Sequence, residues 1–65
     1  MPIASTMELT TLNDSHKEMG YLIKFLQSML DNPKYAKHKQ KIDTVLTSLS
    51  DGDYELTRLI SDLNN

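Results

Sequence analysis

The sequence predicts an all-α fold, an antiparallel αα-hairpin, on three observations. Apolar residues recur at helical spacing in both halves of the chain, Asp31-Asn32-Pro33 breaks the pattern between them, and 65 residues make one domain at most. In the second half Ile42, Leu46, Leu49, Leu56, Ile60 and Leu63 fall on alternating steps of four and three residues, interrupted only by Asp53. That period suits a helix packed lengthwise on other helices.

Residues 1–5 read as a short tail. Ser5 followed by Glu8 matches a capping box, in which the hydroxyl accepts from the Glu8 amide and the carboxylate reaches back. Ser15 with Glu18 offers the same pattern further on. Thr10, Thr11, Asn13, Asp14 and Ser15 form helix weakly, because β-branching or short polar side chains disfavour it. The first helix therefore starts near residue 6 or only near residue 14, and ends near 31. From Lys17 to Leu30 the periodicity is strong: Met19, Leu22, Ile23, Phe25, Leu26, Met29 and Leu30 make a broad apolar face, which Leu12 extends backwards. Gly20 is either exposed or a place where another helix approaches closely.

The turn spans 31–33. Proline disfavours helix in the residue before it and suits the first position of a new helix, with Asn32 as cap. The second helix is expected over about 33–63, with Tyr35 and Ile42 on its inner face. Ser50-Asp51-Gly52-Asp53 either breaks it or lies on a continuous or locally kinked helix. Continuation is preferred, since the stripe keeps its phase across the gap. A break at 50–53 would instead give a compact three-helix bundle. No internal repeat or low-complexity segment is recognised. A lone hairpin leaves part of its apolar surface wet, so completion as a helical bundle, by self-association or by a partner, is expected.

Composition narrows function. Cysteine is absent, which excludes disulfides and thiolate metal sites, and the two histidines are too far apart in sequence for a local ligand pair. No cofactor and no metal site are expected, and no catalytic grouping assembles around His16 or His38. The net charge is -2, so nucleic-acid binding is disfavoured. No apolar run is long enough for a membrane span, and the N-terminus has no secretory pattern; a cytoplasmic location is expected.

Lys34, Lys37, Lys39 and Lys41, with His38, form a basic cluster. It reads as a solvated face or as an electrostatic docking patch for an acidic partner. Asp51, Asp53 and Glu55 lack the spacing of a calcium loop and suit helix capping. Asp53 is a partly exposed acid at a kink, or a polar position that fixes register or partner choice, with any mate on another helix. His16 reads as a surface histidine, and Tyr21, Tyr35 and Tyr54 as boundary residues.

The expected function is that of a small non-enzymatic protein-interaction module: an adaptor, co-chaperone or anti-activator. Its apolar partner-binding residues would be Leu22, Phe25, Met29, Ile42, Leu46, Leu49, Leu56 and Ile60. The partner is another protein or a second copy of the chain. The alternative is a homodimeric four-helix-bundle regulator acting on nucleic acid through Lys34–Lys41, as in plasmid-copy-control hairpin proteins. Two long helices, the short polar turn Asp31–Lys34 and the overall length give a layout that resembles the hairpin co-chaperones of type III secretion needle subunits (the YscE/EscE-like family). That resemblance implies that Ile42, Leu46 and Leu49 face the partner.

Overall fold

The computed structural model describes residues 3–65; Met1 and Pro2, part of the expected tail, lie outside the described residues. Two helices, α1 (Thr6–Leu30) and α2 (Lys39–Leu63), pack antiparallel, joined by a 3-10 segment over Pro33–His38. The hairpin measures 49 × 15 × 11 Å. There is no strand among the described residues.

α1 starts at the first of its two candidate caps. The Ser5 hydroxyl accepts from the Glu8 amide at 3.1 Å, and the Glu8 carboxylate accepts from the Ser5 amide at 2.9 Å. Two orphan donors of the first turn are thereby satisfied. The weak stretch that follows is helical nonetheless, and its side chains bond back to the preceding turn. Thr11 Oγ1 donates to the Met7 carbonyl at 3.0 Å, and Asn13 Nδ2 to the Leu9 carbonyl at 2.8 Å.

Asn32 is the pivot of the turn. Its side chain accepts from the Lys34 amide at 3.0 Å and its carbonyl from the Tyr35 amide at 3.0 Å. Pro33 opens a helical segment, as expected, but the segment is 3-10 rather than the start of one long α-helix. Tyr35 leaves helical geometry (φ -104°, ψ 18°), and α-helix proper begins only at Lys39. The tighter 3-10 winding completes the reversal within a few residues.

α2 runs unbroken through Gly52, so the three-helix alternative is not the one adopted. No described glycine has a positive φ. Half-buried residues trace the seam on both helices: Leu9, Leu12, His16, Met19, Ile23 and Leu26 on α1, and Leu46, Leu49, Asp53, Leu56, Ile60 and Leu63 on α2. Ile42 at 8% and Ala4 at 9% exposure are the most buried, and no described side chain is fully buried. Residues 3–5 are tied to the other end of the chain. The Ile3 and Ala4 amides donate to the Leu63 carbonyl at 3.0 and 3.4 Å, which satisfies an orphan acceptor at the end of α2.

Setting the two seams side by side corrects the expectation of no internal repeat. With an offset of 37, Leu9–Leu26 aligns with Leu46–Leu63 and 8 of 18 positions are identical. The shared frame is Leu-Thr-x-Leu-x-Asp-x-x-x-Glu-x-x-x-Leu-Ile-x-x-Leu. Burial repeats with it: every seam position has a half-buried mate, and Leu22 and Leu59 are 45% and 46% exposed. A sequence repeat on two antiparallel helices makes the hairpin approximately twofold symmetric. The axis passes between His16 and Asp53, which occupy equivalent positions.

Candidate interaction surface

The expected partner-binding residues divide into two sets. Ile42, Leu46, Leu49, Leu56 and Ile60 lie in the seam, covered to differing degrees by α1. Leu22 (45% exposed) and Phe25 (61%) remain open to solvent, while Met29 is half-buried. Val45 and Leu59, at 45% and 46%, add to the open apolar area.

Register gathers most of this second set at the turn end. Leu22 directly precedes seam residue Ile23, and Val45 directly precedes seam residue Leu46. In an antiparallel pair, reversal of the chain brings such equivalent positions to the same flank. The His16–Asp53 pairing sets Leu22 and Val45 almost opposite one another across the seam. Phe25 and Met29 continue this flank at helical spacing towards the turn.

The basic cluster borders the same region. Lys37, His38, Gln40, Lys41 and Thr44 line an open groove of ≈ 480 Å³ at the start of α2. Lys41 is one turn before Val45, so the groove runs into the apolar flank. The N-terminus of α2 reinforces the positive charge. His38 provides no side-chain cap and no acid lies in the first turn, so no side chain offsets the positive end of the helix dipole. Of the remaining lysines, Lys34 lies over the Tyr35 ring at 5.6 Å, and Lys39 is exposed. A second groove, of ≈ 400 Å³, lies at the opposite end between Met7, Glu8, Thr11 and Leu12.

No family model, curated protein or solved structure matches the chain. The surface must therefore be read from its own chemistry.

His16 is the residue whose partner sequence reasoning missed. It lies at the surface at the edge of the seam, and its Nδ1 is 2.6 Å from Asp53 Oδ1, with the two side chains 40% and 24% exposed. Asp53 does find its mate on another helix, and neither sits at a kink. The available signal was positional, because His16 interrupts the α1 seam as Asp53 interrupts that of α2. Arg58 instead lies over the Tyr54 ring at 5.8 Å on the outer face. Among the described residues, no group of three or more His, Cys, Asp or Glu side chains is placed to hold a metal ion, and no helix is long and apolar enough to cross a membrane.

Proposed function

We propose that this chain is a small helical protein-interaction module whose docking surface is the turn end of the hairpin. The observation that carries the reading is the conjunction of exposed Leu22, Phe25 and Val45 with the groove of Lys37, His38 and Lys41. Exposed large apolar groups beside one sign of charge fit an amphipathic helix that places apolar anchors on the flank and carboxylates over the lysines. The partner is thus an acidic amphipathic helix, as an adaptor or co-chaperone would bind. The layout shared with type III secretion needle co-chaperones agrees with this role, although Ile42, Leu46 and Leu49 already serve the hairpin's own seam. Nucleic acid fits less well, since phosphates gain nothing from Phe25 or Leu22 and the net charge is -2.

The test is a fluorescence-anisotropy titration with a labelled acidic amphipathic helical peptide and a charge-matched scrambled control. Binding to the ordered peptide alone is expected. Phe25→Asp should weaken it at least about tenfold, equivalent to about 1.4 kcal/mol. Lys37→Glu/Lys41→Glu should weaken it further and flatten its salt dependence. Both variants alter exposed side chains, so circular dichroism should show unchanged helicity. Equal binding of the scrambled peptide, or salt-dependent binding of a DNA duplex alone, would overturn the proposal. A stable homodimer dissolved by Phe25→Asp would assign the surface to a second copy of the chain.

A further inference from the structure

The repeat creates a problem that the His16–Asp53 pair solves. Two helices carrying one seam pattern can pair with each other or with their own kind. In the same antiparallel register, α1 with the α1 of a second chain matches Leu9, Leu12, Met19 and Ile23 as well as α2 does. Apolar burial alone barely distinguishes these arrangements, because it is non-directional. The central position is where they differ. Pairing α1 with α2 gives His16 opposite Asp53, joined at 2.6 Å. Pairing two α2 helices sets carboxylate against carboxylate, and pairing two α1 helices sets imidazole against imidazole. Slippage of one heptad is also disfavoured: it would bring Asp53 opposite Leu9 or Ile23 and His16 opposite Leu46 or Ile60. Each such layer leaves a half-buried polar group without its partner.

We propose that His16 and Asp53 are the specificity determinants of helix pairing in this chain: together they make α1 select α2, in one register, from among the like-with-like pairings that the repeat permits. A lone polar layer in an apolar seam performs this service in coiled coils, where it fixes register and partner at a cost in stability. Outside the seam, the charges that differ between the repeats, Lys17, Lys24, Arg58 and Asp62, are all exposed. Asp14 and Asp51 are equivalent under the repeat, as are Glu18 and Glu55, so each recurs in every arrangement. Among the half-buried seam positions only His16 and Asp53 are polar, and they differ, so this pair carries the choice.

The test uses the full chain with paired spin labels. There is no native cysteine, so Lys17→Cys/Asp51→Cys, both at exposed positions, labels one site on each helix cleanly. Pulsed dipolar distances and sedimentation velocity are then read for the labelled parent and four variants of it. The parent should give one narrow distance distribution and one species. Asp53→His and His16→Asp, each creating a like-with-like layer, should broaden the distances or add oligomers. The reciprocal exchange, His16→Asp/Asp53→His, should restore the single distribution. His16→Leu/Asp53→Leu should remain helical but lose uniqueness, showing additional distances or species. Two results overturn the proposal: an apolar double variant as uniform as the parent, or a reciprocal exchange no better than the single replacements. Peptide binding at the turn end does not enter these readouts, so the outcome is independent of the proposed function.

Discussion

Glu8 accepts one bond from the Ser5 amide while its own amide donates to the Ser5 hydroxyl, and the first turn of α1 depends on that exchange. The bonds from the Ser5 backbone and side chain hold the Glu8 carboxyl below its usual range. A carboxyl lowered on folding adds stability above its unfolded pKa, and that stability is lost as pH falls through the folded value. Acidification into and below the normal carboxylate range should therefore fray α1 from residue 6 inwards. Amide exchange at Leu9 and Thr10, followed by NMR, would show it, and Ser5→Ala should abolish this local pH response. Ser5→Ala should also lower the urea-unfolding free energy by about 1 kcal/mol, as loss of an N-cap does. Gly20 has nothing within 4 Å of where a Cβ would stand, so it serves no close approach. Gly20→Ala should raise stability by roughly 0.5–1 kcal/mol in the same assay. The capping box was legible in the sequence because its partners are three residues apart. The His16–Asp53 contact was not, because it exists only once two helices are set in register.

At the scale of the element, α2 shows what periodicity can and cannot reveal. The stripe from Ile42 to Leu63 fixed its inner face and argued for continuity through Gly52, as observed. It could not separate a 3-10 segment from an α-helix over Pro33–His38, since a single inward residue such as Tyr35 fits either winding. The repeat is obscured in the sequence for a related reason. Its matching positions mix identities with changes such as Met19 to Leu56 and His16 to Asp53, and only equal burial makes the frame plain. Ile42 is the most buried residue of α2. Ile42→Ala should cost about 2 kcal/mol, the low end for such a truncation, because the seam is open enough for neighbours and water to fill the space. Urea unfolding monitored by circular dichroism would measure it, and a cost near zero would mean that the turn end contributes little to the fold.

The whole molecule is a hairpin one helix pair thick, and no described side chain in it is fully buried. Chains of this size rarely gain more than about 3–5 kcal/mol from a single core. The isolated protein should therefore unfold over a broad thermal range, and an acidic helix seated at the turn end should raise its midpoint in proportion to the logarithm of ligand concentration. A scan with and without the peptide used for binding would show the shift, while a midpoint indifferent to peptide would place binding elsewhere. The fold class was legible at this scale because two long amphipathic segments and one proline-marked turn admit few arrangements. The docking region was legible only in pieces, since Leu22, Phe25 and Val45 share a flank solely through the antiparallel register.

The bonds from Ile3 and Ala4 to the Leu63 carbonyl set the segment before α1 against the end of α2, at the end of the hairpin opposite the turn. The order in which the helices are synthesised is then incidental to how they pack. A short glycine-serine bridge from Asn65 to Ile3, with the chain opened at Asp31–Asn32, would run α2 before α1 while keeping the seam, the symmetry axis and the His16–Asp53 layer. Such a circular permutant would free the turn-end surface from its covalent strap, leaving the packing of the two helices alone to hold Leu22 and Val45 on one flank.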